Sequence, residues 1–192
     1  VTKPLSDRDF VNKVQAEKPD LLAFTSTTNT ALFIKSWAKA LRKVSHVTTI
    51  YGGVHASLMP EDSAQFEGID MLCIGEGEGA ILDVCRKLAK NEDDFLDIPN
   101  IWLKRNGNIY KNTPRPLLKN LDILPFPDRD IYDYNNTGEA REETYRILAT
   151  RGCPYICTYN FNLEYRELYK RDASSYIRFR STKNVIEELE IK

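Results

Sequence analysis

Apolar residues in the first ninety positions follow two alternating spacings. Compact apolar runs at 20–25, 47–51 and 70–75 are typical of buried strands. Between them, apolar residues recur three or four positions apart, which is the spacing of one helix face. These helix-spaced residues are Ala31, Ile34, Ala38 and Leu41 in one segment, and Ile81, Val84, Cys85 and Leu88 in the other. The alternation of strands and helices predicts an α/β fold with a parallel sheet covered on both faces.

Three polar segments, 25–30, 52–57 and 75–80, follow the predicted strands. Ligands of parallel sheets bind at the carboxyl ends of the strands, and hydroxyls, glycines and helix-opening amides suit a phosphate or another polar ligand. The alternative is that the glycines only form turns, because a Gly-x-Gly-x-x-Gly nucleotide fingerprint is absent. His55 is interpreted as a hydrogen-bonding loop residue rather than a metal ligand.

The pattern changes after residue 91. Strand-forming residues flank Asn106-Gly107, which predicts a hairpin. The proline-rich stretch 112–130 cannot be a continuous helix, and we expect a tether there. Residues 145–153 and 175–182 predict two further strands.

Ser181 is placed to cap a final helix, which carries Val185, Ile186 and Leu189 on one face. The sequence stops at Lys192, soon after this helix begins. A second domain cannot close in so few residues, so we expect a fragment of a longer protein.

Composition narrows the function classes. With 27 Lys and Arg against 28 Asp and Glu, the chain has no broad field that attracts nucleic acid or anionic lipid. Its apolar runs are far shorter than the ~20 residues that a membrane helix needs, and no secretion signal is visible. We therefore expect a cytoplasmic protein with no membrane span, no nucleic-acid partner and four reduced cysteines. An exposed sheet edge would favour a homodimer.

Five segments give the sequence a family resemblance through their order. They are GGVHASLMPED, GIDMLCIGEGEGA, LDILPFPDRD, TRGCPYICTY and RFRSTKNVIEEL. In this order they resemble the cobalamin-binding radical S-adenosylmethionine family, from about residue 18 to the C-terminus. Some members are methyltransferases, and others are anaerobic magnesium-protoporphyrin monomethyl ester cyclases.

The resemblance implies three parts. Residues 1–118 would form a Rossmann-like cobalamin-binding domain that lacks its first strand and helix. Residues 119–142 would form a linker. Residues 143–192 would form the first β/α units of a partial TIM-type barrel, which is the start of the radical S-adenosylmethionine domain. Cobalamin would lie at the strand ends. The residues implied for it are Ser26, Thr27, Gly52, Gly53, Gly75 and Glu76. The Asp-x-His-x-x-Gly motif of cobalt ligation is not seen, so no cobalt–histidine bond is expected.

The same resemblance implies a [4Fe-4S] cluster that binds and reductively cleaves S-adenosylmethionine, held by Cys-x3-Cys-x2-Cys. Cys153 and Cys157 match the first two cysteines, and Asn160 stands at the third. An amide oxygen is a poor substitute for a thiolate on iron. Ordinary reduced thiols are one alternative, and zinc is another, although two thiols supply half of a structural zinc site. Cys73 and Cys85 are expected to be buried and therefore poor replacements.

Asn160 has three explanations. In the first, the chain is a degenerate family member that keeps cobalamin or partner binding. In the second, its sequence has been altered. In the third, another ligand completes the cluster. The function implied is the N-terminal part of a cobalamin-dependent radical S-adenosylmethionine enzyme, of methyltransferase or oxidative cyclase type and inactive alone. The alternative is a non-catalytic corrinoid- or nucleotide-binding module with a degenerate cluster motif. The substrate cannot be read from the sequence.

Overall fold

The structure, a computed structural model, describes residues 4–131, 138–142, 144–169 and 176–191. It divides into two compact units, one containing residues 4–115 and the other the described residues from Pro116 onward. The predicted boundaries at 118 and 142 stay predictions. Within the described ranges, no helix is long and apolar enough to cross a bilayer.

The first unit is built on one five-stranded sheet, with strands in the order β1 to β5. The strands are β1 Leu21–Thr25, β2 Thr48–Gly52, β3 Met71–Cys73, β4 Ile101–Arg105 and β5 Asn108–Lys111. The helices are α1 Asp7–Glu17, α2 Ala31–Arg42, α3 Gly53–Leu58, α4 Pro60–Ala64 and α5 Glu78–Ala89. The α/β fold class predicted from the sequence is confirmed.

The sheet is mixed rather than wholly parallel. Strands β1, β2 and β3 run parallel, as predicted. Strand β4 pairs antiparallel with β3, and β5 pairs antiparallel with β4. The reversal occurs at Asn106 and Gly107, which both have positive φ angles and form the predicted hairpin turn.

The register places side chains on two faces. Phe24, Tyr51 and Leu72 are neighbours across β1, β2 and β3, so they share one face. Helix α1 covers that face near β1, where Phe10 packs on Phe24 with ring centroids 5.8 Å apart. Helix α5 covers the other face. The core there contains Ile50, Met71, Cys73, Ala80, Val84, Phe95, Ile98, Ile101 and Leu103.

The predicted helix faces are largely confirmed. All four helix-spaced residues of α2 are buried. In α5, Ala80 and Val84 are buried, but Cys85 is exposed, so its predicted place in the core is wrong. The reason is geometric, because Cys85 lies about 100° around the helix from the fully buried Val84.

The second unit contains short elements joined by long connections. Its helices are α6 Gly138–Arg141, α7 Asn162–Leu168 and α8 Thr182–Glu190, and its strands are β6 Thr150–Arg151 and β7 Arg178–Phe179. The two strands pair antiparallel. Both predicted strands therefore exist, but each is two residues long. The opening of a β/α barrel stays a prediction.

Hydrogen bonds fix the tether to the end of the second unit. The Asp122 carboxylate accepts a 2.9 Å hydrogen bond from the backbone N–H of Ser181, and Arg178 donates to the Leu118 carbonyl at 3.0 Å. Ser181 caps α8 by accepting from the Asn184 N–H at 3.1 Å, as predicted.

The buried face of α8 differs from the prediction. Ile186 and Leu189 are about half exposed, at 48% and 47%, whereas Glu188 is 3% exposed. Glu188 is held by Arg129 at 2.9 Å and by Arg180. A paired carboxylate therefore takes the inward position predicted for apolar residues.

Candidate functional site

The residues implied by the resemblance for cobalamin follow three parallel strands and lie at one edge of the sheet. Ser26 and Thr27 follow β1, Gly52 and Gly53 lie at the end of β2, and Gly75 and Glu76 follow β3. Because the three strands are parallel, their carboxyl ends share this edge. We call the segments 25–30, 52–57 and 75–80 the first, second and third loops.

Hydrogen bonds join the three loops in a continuous series. The His55 N–H donates to the Ser26 carbonyl at 3.3 Å, which joins the second loop to the first. The Ser57 hydroxyl donates to the Gly53 carbonyl at 2.9 Å and accepts from the Gly75 N–H, also at 2.9 Å. Ser57 therefore joins the second loop to the third. Ser57 was not identified from the sequence. A serine hydroxyl commonly bonds to the backbone carbonyl four residues earlier in a helix, but this local pattern does not indicate the bond to Gly75.

Gly53 is required by the close approach of the first two loops. Its φ angle is 89°, and a Cβ there would lie 2.5 Å from Thr25 Oγ1 and 3.0 Å from both Ser26 N and Ser26 O. Gly52 has extended backbone, with φ −129°. A Cβ at Gly52 would lie 3.4 Å from Cys73 Cβ, an ordinary contact.

Ser26 and Thr27 face different surroundings. Ser26 is 8% exposed, and its Oγ lies 2.6 Å from the hydroxyl of fully buried Tyr51. Burial raises the pKa of Tyr51, with the Ser26 hydrogen bond opposing it and Asp62 adding to it, so the phenol stays protonated. Thr27 is exposed, and its hydroxyl donates to Asn29 Oδ1. Thr27 can therefore reach a ligand by its side chain, whereas Ser26 acts through the loop packing.

His55 packs inside the second loop. Its ring lies beside the stacked rings of Tyr51 and Phe66, with centroid distances of 6.5 Å and 6.3 Å. Nδ1 is 3.2 Å from Thr28 Oγ1, and Nε2 is 3.7 Å from Asp62 Oδ2, which is beyond hydrogen-bond range. The structure therefore supports a hydrogen-bonding role for His55.

The third loop lies over Cys73 and is fixed by Arg115. Burial, with a smaller contribution from Glu78 and opposition from Arg115, raises the pKa of Cys73 to about 11. The thiol is therefore neutral near pH 7 and is a poor metal ligand. Arg115 forms an ion pair with Asp83, and a Cβ on Gly79 would lie 2.8 Å from Arg115 Nη1. Nothing in the local sequence indicated this contact.

These loops fit a ligand with a polar tail better than a ligand that needs a cobalt-binding histidine. The exposed Thr27 hydroxyl and the backbone of the glycine-containing loops are neutral hydrogen-bonding groups. His55 is buried, and exposed His46 precedes β2 at the opposite end of that strand. Neither histidine is placed to ligate cobalt at the loop edge, which agrees with the absence of the cobalt-ligand motif.

The cysteine segment does not offer the ligands of a [4Fe-4S] cluster. Cys153 and Cys157 are half-buried free thiols. The Asn160 side-chain oxygen accepts hydrogen bonds from Asn162 N and Asn162 Nδ2, each at 3.0 Å. Over residues 4–131, 138–142, 144–169 and 176–191, no group of three or more His, Cys, Asp or Glu residues could hold a metal. A three-thiolate cluster site therefore does not fit the described residues.

Comparison with known proteins relates the first unit to corrinoid-binding domains. Residues 2–84 match the B12 binding domain family. An uncharacterised methyltransferase of Pyrococcus horikoshii is 26% identical over 194 residues, covering 100% of this chain and 40% of the relative. The anaerobic magnesium-protoporphyrin IX monomethyl ester cyclase of Synechocystis is 26% identical over 168 residues, covering 81% and 32%. The chain thus spans well under half of either relative.

Solved structures share the fold. The radical S-adenosylmethionine methyltransferase TsrM of Kitasatospora setae, solved with cobalamin and a [4Fe-4S] cluster bound, aligns with a TM-score of 0.63 at 18% identity, over 94% of this chain and 36% of TsrM. The cobalamin-dependent S-adenosylmethionine radical enzyme OxsB, solved with aqua-cobalamin and S-adenosylmethionine, aligns with a TM-score of 0.67 at 20% identity, over 96% and 25%. The domain match, the curated relatives and the shared fold agree with the order of the five sequence segments. Residues 2–84 therefore match the B12 binding domain family, and the chain as a whole is similar to these methyltransferases, this cyclase and these cobalamin-dependent radical enzymes.

Proposed function

We propose that the first unit binds cobalamin at the carboxyl edge of β1, β2 and β3. The observation that carries the proposal is the hydrogen-bonded series through His55 and Ser57, which joins the ends of three strands within the region that matches the B12 binding domain. The residues proposed for the site are Ser26, Thr27, Gly52, Gly53, Gly75 and Glu76.

The residues have different proposed roles. The exposed Thr27 hydroxyl would bind the polar tail of the corrinoid, and the Gly52–Gly53 backbone would let that tail approach closely. Ser26 would keep the first loop in place through Tyr51. Gly75 and Glu76, in the third loop, would contact the ligand from the end of β3. Bound cobalamin supplies a cobalt centre for methyl transfer or electron chemistry.

The activity of the whole protein is a wider proposal. Relatives named as methyltransferases and as an oxidative cyclase support a cobalamin-dependent enzyme of one of these two types. The [4Fe-4S] cluster and S-adenosylmethionine are proposed for the intact relatives, and no step through them is assigned to this chain. A cytoplasmic location is also proposed. We also propose a homodimer that forms through the free edge of β1, which is the first strand in the sheet order.

Titration with aquacobalamin tests the main proposal. We expect a change in the visible spectrum and one cobalamin retained per chain after gel filtration. Thr27→Ala should weaken binding roughly 2- to 10-fold, because it removes one hydrogen-bonding group. Thr158→Ala, at another exposed threonine in the second unit, is the matched control. No retention and no spectral change would reject corrinoid binding.

The competing function is a module for another nucleotide-tailed ligand, without chemistry of its own. It is favoured by the incomplete set of cluster ligands around Cys153 and Cys157. Cobinamide lacks the nucleotide tail, so its binding shows whether the loops recognise the tail or the corrin ring. If the loops bind the tail, cobinamide should bind much more weakly than cobalamin. Tight binding of an adenine nucleotide without cobalamin binding would favour the competing function.

A further inference from the structure

The segment that carries Cys153 and Cys157 is organised by side-chain hydrogen bonds around Asn160. The Asn160 oxygen accepts from the backbone N–H of Asn162, which is the first residue of α7. This Asx turn satisfies one of the amides that a helix N-terminus leaves without an intrahelical partner. Phe161, the cap residue by position, makes no side-chain capping bond. Asn160 therefore supplies the side-chain cap at this helix start.

A second contact continues the network into the rest of the unit. The Asn162 side-chain oxygen accepts from the Tyr176 hydroxyl at 3.1 Å. Tyr176 is 4% exposed and packs in a cluster with Leu117 and Tyr169. The series from Asn160 through Asn162 to Tyr176 thus joins the cysteine segment to a buried core.

The start of the segment is fixed by backbone contact. Gly152 has a φ angle of 87°, and a Cβ there would collide with the Tyr176 carbonyl oxygen. Tyr176 therefore contacts the segment at both ends, by its carbonyl beside Gly152 and by its hydroxyl on Asn162.

We propose that Asn160 replaces metal ligation by helix capping, so that the cysteine segment folds without iron and does not hold a [4Fe-4S] cluster. Its side-chain oxygen already accepts two hydrogen bonds, and a neutral amide oxygen binds iron weakly compared with a thiolate. It follows that Cys153 and Cys157 are structural or inert thiols. This chain then lacks the centre that would cleave S-adenosylmethionine.

Iron reconstitution tests the metal half of the proposal. The wild-type chain and Asn160→Cys are incubated anaerobically with iron and sulfide, and bound iron and sulfide are measured. We expect the wild type to retain far less than one cluster per chain, and the variant to approach the four irons of a [4Fe-4S] centre. A near-stoichiometric cluster in the wild type would overturn the proposal. So would equal iron uptake by both proteins, because residue 160 would then not be the missing ligand position.

Hydrogen exchange tests the capping half. In buffer with a metal chelator, peptide 160–169 of the wild type should exchange as slowly as without chelator. Asn160→Ala should accelerate exchange there roughly 2- to 30-fold, and Asn160→Asp, which keeps the acceptor, should restore protection. Faster exchange of the wild type in chelator, or no change in Asn160→Ala, would refute the proposal. Cobalamin binding by the first unit is measured independently, so the two proposals can fail separately.

Discussion

The two adjacent glycines at the end of β2 have different structural reasons for their identity. Gly53 has a positive φ angle, and a Cβ on it would collide with Thr25 and Ser26. Gly52 adopts an extended backbone that other residues can adopt, and a Cβ would meet only Cys73 at ordinary distance. The fold therefore requires glycine at position 53, whereas position 52 can accept a residue with a side chain.

We predict that Gly53→Ala lowers the free energy of unfolding of the first unit by about 1–3 kcal/mol, because the φ angle and the collision with the first loop both oppose a Cβ. Gly52→Ala is the matched control and should change it by less than about 1 kcal/mol. Urea unfolding followed by tryptophan fluorescence measures the effect, since Trp37 and Trp102 both lie in the first unit. Equal effects of the two substitutions would contradict the geometric explanation.

Sequence periodicity predicted the regular elements of the first unit but not their cross-links. Apolar runs and helical spacing gave β1, β2, β3, α2 and α5, because burial of one face imposes that spacing. The Arg115 contact with Gly79 joins residues 36 positions apart, and no local pattern encodes such a contact. The inward position of Glu188 was missed for the same reason, since its two arginines lie outside α8.

At the level of elements, a single hydroxyl connects α3 to the third loop. Ser57 lies in α3, is 6% exposed, and bonds to Gly53 and Gly75. Ser63, in α4, is fully buried, and its hydroxyl has no hydrogen-bond partner in the described part of the chain. The two serines are thus similar in burial but differ in bonding.

We predict that Ser57→Ala destabilises the first unit by about 1–3 kcal/mol, because the Gly75 N–H loses its partner inside the protein. It should also weaken cobalamin binding, since the third loop is no longer joined to the second. Ser63→Ala is the control, and its effect should be near zero or stabilising. Urea unfolding and cobalamin titration measure the two consequences. If Ser63→Ala cost as much as Ser57→Ala, burial alone rather than the hydrogen bonds would explain the loss.

The two units of the molecule rely on different interactions. A cluster of nine buried core residues supports the first unit beneath α5. Among the described residues of the second unit, a buried cluster contains Leu117, Tyr169 and Tyr176, and charged groups hold α8. Glu188 lies between Arg129 and Arg180, and Arg180 also donates to Asn184 Oδ1 at 2.6 Å. Electrostatic conditions should therefore affect the second unit more than the first.

The pKa of Glu188 determines how the stability of the second unit changes with pH. Burial by itself would raise that pKa, but hydrogen bonds and charges from Arg129 and Arg180 outweigh it and lower the pKa below its ordinary value of 4.5. A carboxyl whose pKa is lower in the folded state stabilises the fold fully above the unfolded value. This stabilisation is then lost as the pH falls from about 4.5 through the lower folded value.

We therefore predict that the second unit loses stability below pH 4.5 before the first unit does. Glu188→Gln should destabilise the second unit at pH 7 by about 1–3 kcal/mol, because two guanidinium groups lose their charged partner, and should flatten its dependence on acid pH. Glu187→Gln, at a neighbouring glutamate paired with Lys183 at 3.6 Å near the surface, is the matched control and should leave both properties nearly unchanged. Hydrogen exchange of peptides from 176–191 reports on the second unit, and tryptophan fluorescence reports on the first in the same samples. Simultaneous acid loss of both units, or unchanged pH dependence in Glu188→Gln, would show that the arginine-paired carboxylate does not determine the acid stability of this part of the chain.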